Sequence, residues 1–466
     1  MRRFEFTNTA KTLGLAAATL LAFSVPAARV SAAVQLVTDE TIKIQRDLTG
    51  RHTLSNGITV IIRQVPDSDI VQVEATFGSA LKDLPTGHKA LNEWYWSVVP
   101  MAADGYPKAK VFETVEKYSL ELGCSGGIEY AACHLGTIND YWQQSLAIFA
   151  AIIKSPTFTE EDAKLTKDRL IAELRNTPSD PDRYINEIIN RIFYPPGHPY
   201  RLNSDEALKE LDGLTRADLV AYQKTLLNAG NLSFVVATSL PTASVLADLE
   251  KAFGSIAKGE SPKVAATAPT FDPAKAFTFD DRDLPTAYIR IKLNAPAISD
   301  PDAVAARLLY EILSEELGDE VRTRRSLSYA VHSYLIQYSL GIGVISVSTS
   351  KPKETFEALN DVLKAIKNKD YTDEEMESYK HGFATGYYLT QETHASLAEA
   401  LASALFFYND VNEYYEMPRR LDKVTAADIK RLANTWLNNL RVGVIYGRSE
   451  FKDEWATDLI QKNLAP

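Results

Sequence analysis

Val321-Arg322-Thr323-Arg324-Arg325-Ser326-Leu327-Ser328-Tyr329 joins two different kinds of pattern. A helical repeat of apolar positions enters it from about Ala303, and an alternating run leaves it from about Ser328 to Ser348. The arginines therefore fall where a helix hands over to strands. Three permanently charged guanidinium groups beside a phenol make a poor core and a good grip on a carboxylate or a peptide backbone. A solvated helix end has the same composition, so the rest of the chain has to decide between the two readings.

Outward from this stretch, the second half reads as a strand at Thr286 to Leu293, the helix from Ala303, strands at Tyr329 to Gln337 and Gly341 to Ser348, and then helices near Pro352 to Ile366, Thr372 to Leu389, Ala395 to Tyr408 and Thr425 to Leu437. A strand at Arg441 to Tyr446 closes it. The first half carries a similar order. Leu54 to Ile62 and Val71 to Phe77 read as strands, Lys110 to Leu122 as an amphipathic helix, Leu122 to Gly127 as a turn, and Ile128 to Leu135 as a strand. Helices follow at Tyr141 to Ile153, Glu160 to Asn176 and Leu214 to Leu227, with a strand at Leu232 to Ala237. Corresponding elements recur roughly 210 to 220 residues apart, which an internal duplication explains economically. The expected fold class is α+β: two homologous α/β-type domains, each a mixed, mainly antiparallel sheet with helices on one side. Phe253 to Thr270 is rich in Gly, Ala, Pro, Ser and Lys and reads as a linker. The expected divisions are residues 33–255, a linker at 256–275, and residues 276–466.

The amino terminus has the order of a secretory signal peptide: Arg2, Arg3 and Lys11, the apolar run Leu13 to Phe23, then Val30-Ser31-Ala32. Residues 1–32 are therefore expected to be removed on export to the periplasm, without stable membrane insertion afterwards. Their loss moves the formal charge from −11 to −14, with 46 bases left against 60 acids. An acidic surface without a long basic block argues against nucleic-acid binding. The only cysteines, Cys124 and Cys133, are not a Cys-x-x-Cys pair; they can form a disulfide if they face each other in an oxidising compartment.

The chain has no phosphate-binding glycine loop or dinucleotide fingerprint. Its seven histidines form no His-x-x-x-His, His-x-x-Glu-His or His-Glu-x-x-His pattern. His198, in Tyr194-Pro-Pro-Gly-His-Pro-Tyr200, has no second imidazole at ligand spacing and reads as structural.

Several segments in order resemble the M16 peptidase family, the pitrilysin-like inverted zincins that include the mitochondrial processing peptidase. They are Leu54-Ser55-Asn56-Gly57-Ile58-Thr59-Val60, the Leu122-Gly123 turn with the strand around Tyr130-Ala131-Ala132, Leu170-Ile171-Ala172-Glu173-Leu174, Gly197-His198-Pro199, Leu214-Thr215-x-x-Asp218-Leu219, and Arg322-x-x-Arg325-x-Leu327-x-Tyr329. The resemblance covers about residues 45 to 450 and implies a fold forming half of a clamshell. The family's His-x-x-Glu-His falls on Ala90-Leu91-Asn92-Glu93-Trp94. Glu93 stands at the general base, Ala90 and Trp94 replace both histidines, and Glu173 retains the carboxylate ligand. A carboxylate without two imidazoles cannot hold zinc tightly, and shifting the motif onto His88 would lose Glu93 and the second imidazole. No metal is expected on this chain. In active relatives the arginine and tyrosine segment lies across the cavity from zinc and stabilises the oxyanion, which the resemblance assigns to Arg322 and Tyr329, with Arg325 as a further candidate. Some bacterial members are heterodimers, one chain with the zinc motif and the other with these donors. The resemblance therefore implies a partner M16 homologue carrying His-x-x-Glu-His and zinc, a peptide substrate, and no cleavage by this chain alone. The alternatives are an inert M16-like scaffold and a peptide-binding protein.

Overall fold

A computed structural model describes residues 36–84, 89–261, 266–389 and 391–465. The signal-peptide reading of residues 1–32 and the position of His88 lie outside the described residues.

The first half runs α1 (Asp39–Asp47), β1 (Thr49–Thr53), β2 (Thr59–Gln64), β3 (Ile70–Phe77), α2 (Lys89–Val98), α3 (Lys108–Tyr118), β4 (Glu121–Gly126) and β5 (Ala131–Ile138). It continues through α4 (Trp142–Lys154), α5 (Glu160–Asn176), α6 (Pro181–Phe193), α7 (Ser204–Gly213), α8 (Arg216–Leu226), β6 (Leu232–Thr238) and α9 (Thr242–Phe253). The second half opens with β7 (Phe277–Asp281), β8 (Ala287–Ala295), α10 (Ala303–Leu317), β9 (Ala330–Gln337) and β10 (Gly341–Thr349). The helices α11 (Pro352–Asn368), α12 (Asp373–Leu389), α13 (His394–Tyr408), α14 (Asn412–Asp422) and α15 (Ala426–Trp436) precede β11 (Arg441–Tyr446), and α16 (Asp453–Lys462) follows it.

Local signals account for many of the boundaries. Thr159 caps α5 by accepting from the Asp162 amide, and reciprocal Thr–Asp capping boxes open α8 and α15. The first sheet has the order β1-β2-β6-β3-β5-β4 and the second β7-β11-β8-β10-β9. In each, one pair is parallel, β2 with β6 and β7 with β11, and the others are antiparallel. The chain visits β8, β9, β10 and β11 in the same spatial pattern as β3, β4, β5 and β6. The two sheets thus repeat one topology, as the repeated order of elements predicts.

A layer of helices from its own half covers one face of each sheet. Val71, Val73 and Ala75 of β3 point into the first core with Trp94, Phe149 and Ile152, and Ile289, Ile291 and Leu293 of β8 point into the second with Leu309, Leu313 and Leu359. The opposite faces show what sequence periodicity does not. Each is covered by one helix from the other half. Leu397, Ala398, Leu401 and Leu405 of α13 pack on Ile61 of β2 and on Val235 and Ala237 of β6. Reciprocally, Tyr184, Ile185 and Ile188 of α6 pack on Ile445 of β11. Gly443 of β11 lies directly beneath α6, where a Cβ would meet Ile189 at 3.3 Å.

Two expectations need correction. The α3 helix ends at Tyr118 rather than Leu122, because Ser119 takes a left-handed backbone with φ 49°. The stretch expected as a turn, Leu122 to Gly127, lies largely in edge strand β4. Its small residues suit a crowded edge rather than a bend: a Cβ on Gly126 would lie 2.5 Å from Asn92 and Trp96 of α2. Cys124 and Cys133 are opposite each other across the β4–β5 pair and form a disulfide.

The far end of the expected linker is fastened to the second sheet. Arg441, 2% exposed, donates from Nη2 to the Thr270 carbonyl at 2.6 Å. Burial pulls its pKa down to about 10. Among the described residues, no helix is long and apolar enough to cross a membrane.

Candidate functional site

Helix α2 carries Ala90, Glu93 and Trp94. Its first amides, Ala90 N and Leu91 N, donate to the Glu210 carboxylate of α7 at 2.9 and 3.1 Å, so an acid neutralises the helix start. Ala90 and Trp94 are both buried. The Trp94 indole enters the first core, and its Nε1 donates to Ala163 O at 3.0 Å and Thr166 Oγ1 at 3.2 Å on α5. Ala90 and Trp94, which the sequence resemblance sets against the two M16 histidines, thus present a methyl group and an indole whose only polar atom is a donor already in use.

Glu93 faces outward beside Glu173 of α5. Partial burial of its carboxyl end and the Glu173 charge hold its pKa above the ordinary range, with Arg183 pulling the other way. Arg183, in the first turn of α6, donates from Nη2 to Glu173 Oε1 at 2.9 Å. That turn is set by Asp180, whose carboxylate accepts from the Asp182 and Arg183 amides, and by Pro181 at the first helical position. Sequence reasoning missed Arg183. Asp180-Pro181-Asp182-Arg183 does announce a helix start, but no local pattern places that start against Glu173.

The donor set does not suit zinc. Two carboxylates and a guanidinium replace the two imidazoles and carboxylate that a tetrahedral catalytic site needs. Among the described residues, no group of three or more His, Cys, Asp and Glu side chains is placed to hold a metal ion.

The arginine and tyrosine segment is built differently from a plain helix end. Helix α10 continues into a π-helical turn at Gly318–Arg324, and Ser326 then takes a left-handed backbone with φ 51°. Buried Val321 and Leu327 anchor the turn, with the Leu327 amide donating to Val321 O at 2.8 Å. Ser328 Oγ fixes the entry to β9 by donating to Ser348 O at 2.6 Å. Arg325 is committed inside the chain, with Nε on Glu320 at 2.7 Å and Nη2 on Asp361 at 2.7 Å, and these carboxylates raise its pKa. Arg324 pairs with Glu320 at 3.2 Å. Arg322 is exposed and Tyr329 is 93% exposed. Neither has a hydrogen-bond or ion-pair partner among the described residues.

The start of α6 also reaches the second sheet. Arg290 of β8 donates to Asp182 through both its carboxylate, at 3.1 Å, and its carbonyl, at 3.2 Å. His332 of β9 lies within the fields of Arg290 and Asp182, and burial, followed by the Arg290 charge, lowers its pKa. The structure brings together Glu93, Glu173 and Arg183. No hydrogen bond or ion pair among the described residues joins them to Arg322, Arg325 or Tyr329. His198 is structural as expected: Nδ1 accepts from the Tyr200 amide at 3.1 Å, Nε2 is 2.9 Å from Thr267 O, and the ring stacks on Tyr194.

A family model for the Peptidase M16 inactive domain matches residues 213–383. An uncharacterized zinc protease of Rickettsia felis is 22% identical over 415 residues, covering 86% of this chain and 97% of the relative. Among solved structures, a peptidase M16 inactive domain from Pseudomonas fluorescens matches with TM-score 0.77 at 18% identity, over 85% of this chain and 97% of that one. The periplasmic protease PqqL from Escherichia coli matches with TM-score 0.75 at 16% identity, over 86% of this chain and 46% of that one. The fold is that of these M16 structures, and Glu93, Glu173 and Arg183 offer no suitable zinc-ligand set. Residues 213–383 thus match the M16 inactive domain, the chain is similar to M16-type proteins over most of its length, and its sequence contains no His-x-x-Glu-His.

Proposed function

We propose that this chain is the non-zinc-binding subunit of a heterodimeric periplasmic zinc metallopeptidase. The observation that carries the reading is the contrast within one segment. Arg325 is consumed by Glu320 and Asp361, whereas Arg322 and Tyr329 stand exposed and unpartnered beside an anchored turn. In this reading a partner M16 chain carries His-x-x-Glu-His and zinc, and Arg322 and Tyr329 reach the peptide held there. A guanidinium N–H and a phenol O–H donate to the oxygen on which negative charge develops, and losing one well-placed donor costs about 3 kcal/mol in the transition state. Glu93 and Glu173 are remnants of the ancestral metal site.

The domains would be residues 33–255 and 276–466, joined by 256–275, after removal of residues 1–32. Periplasmic residence is supported by the order of the amino-terminal residues and by the Cys124–Cys133 disulfide, which fits an oxidising compartment.

A native pulldown of the mature chain from its own periplasmic extract tests the proposal. The expected result is a co-purifying chain with His-x-x-Glu-His and peptide cleavage that a chelator abolishes. Recovery of the chain alone and inactive would overturn the heterodimer. In the assembled complex, Tyr329→Phe should lower turnover and leave bound zinc unchanged; unaltered turnover would remove the role given to the phenol.

A further inference from the structure

A cavity of about 660 Å³ lies among α10, α12, α13 and α14, with Tyr130 of the first half contributing to its wall. Its size is that of a small-ligand site. Three features of its lining bear on what it could hold.

The first is Arg307 of α10. Its Nε donates to the Gln337 carboxamide, and Gln337 is itself fixed by donating to Pro296 O at 3.3 Å and Ala303 O at 3.0 Å. The guanidinium is thereby aimed, yet its two Nη groups have no acceptor among the described residues. The second feature is uncompensated negative charge in the same space. Glu311, one turn along α10, and Glu399, on α13, both line the cavity, and neither has an ion-pair partner among the described residues. Glu399 acts instead on two neighbours, raising the pKa of Tyr130 and Glu74 in addition to the effect of their burial. The third is the floor. Gly382 and Gly386 stand one turn apart on α12, both line the cavity, and a Cβ at either would meet nothing within 4 Å. Glycine in a helix interior costs up to about 1 kcal/mol against alanine. Here the two glycines leave room that larger side chains would occupy.

A guanidinium and carboxylates that share a cavity without pairing call for a ligand carrying both signs. The rest of the wall carries Glu413 and Arg420, which pair with each other, and is otherwise mainly apolar and aromatic, with Phe383, Tyr387, Tyr414 and Met417. We propose that this cavity binds a short peptide with free ends, its carboxylate on the Arg307 Nη groups, its ammonium on Glu399, and an apolar side chain against the α12–α14 wall. The site is separate from Arg322 and Tyr329 and does not depend on the role given to them above.

The test is isothermal titration calorimetry on the mature chain with the tripeptide Ala-Leu-Ala, its N-acetylated form and its C-terminal amide. The free tripeptide should bind, and capping either end should weaken binding at least tenfold. Arg307→Met should weaken the free tripeptide at least tenfold. Gly386→Leu should do the same by filling the floor, and because it adds a helix-favouring side chain into open space, it tests occupancy in a chain that still folds. Binding at Arg322 and Tyr329 would survive both substitutions. No binding by the wild-type chain, or binding indifferent to the end caps or to Gly386→Leu, would overturn the proposal.

Discussion

Arg183 reaches from the first turn of α6 to Glu173 on α5, a contact of 2.9 Å between a guanidinium and the carboxylate that the resemblance sets at the M16 metal-ligand position. A fixed cation thus sits beside that acid. The same turn holds Arg290 of the second sheet through Asp182.

Restoring the histidines should therefore not restore a good zinc site. In Ala90→His/Trp94→His, Arg183 still competes for Glu173 and repels a dication. The ion pair is exposed, so its removal is worth ~1 kcal/mol at most, and adding Arg183→Gln should tighten zinc by up to about fivefold in a chelator-competition titration. Equal affinity with and without Arg183→Gln would show that the guanidinium does not compete. Trp94→His should also cost about 3–5 kcal/mol of stability, because a buried indole with two acceptors is lost.

Stability should follow an unusual course with pH. Glu74 on β3 is buried without a hydrogen-bond partner among the described residues, and burial, followed by the Glu399 charge, pushes its pKa from 4.5 up to about 8. The folded state then holds a proton that the unfolded chain releases, so stability falls as pH rises from 4.5 to 8, by about 1.4 kcal/mol per pH unit at most. Lys292 on β8 behaves oppositely. Burial, helped by Arg290, pulls its pKa from 10.5 down to about 7, so the folded state lacks a proton that the unfolded chain holds, and stability rises between pH 7 and 10.5. Urea midpoints across pH should show Glu74→Gln flattening the lower limb and Lys292→Met the upper one.

The exchanged helices should be costly to loosen. Leu401 of α13 is fully buried against the first sheet although it belongs to the second half. Leu401→Ala should cost about 2–5 kcal/mol and lower one cooperative unfolding transition. Splitting of that transition into two would show that the halves unfold independently.

Reduction should weaken the edge of the first sheet. Cys124 and Cys133 are separated by nine positions, and closing a loop of that length is worth ~2.5 kcal/mol in the chain-entropy account. Cys124→Ser/Cys133→Ser should lose about that much in chemical denaturation, and the oxidised wild type alone should respond to a reductant. A loss well below 1 kcal/mol would show that the β4–β5 pairing holds without the bond.

What could be read in the sequence was what local chemistry decides. Thr159 and the helix it caps, the Thr215–Asp218 box, the β-branched strands and the alternation after Ser328 all became the expected elements. The small residues of Leu122 to Gly127 misled because glycine and serine favour a turn locally, whereas here they admit α2 above an edge strand. Ala90, Glu93, Trp94 and Glu173 could be aligned with a zinc pattern, but Arg183 could not be added to them, since its approach to Glu173 depends on where α6 lies in the fold. Arg322 and Arg325 look alike in the sequence and differ only through Glu320 and Asp361. The exchange of α6 and α13 between halves escaped for the same reason. Each is an ordinary amphipathic segment until its partner sheet is known.

That exchange has a consequence for the integrity of the chain. Because each sheet is finished by a helix borrowed from across the molecule, severing the backbone between the halves would yield two interlocked fragments rather than two independent proteins. Neither piece made by itself could cover its own sheet, and the separately produced pieces should be insoluble until mixed. The two halves, though alike in sheet topology, are in this sense not autonomous.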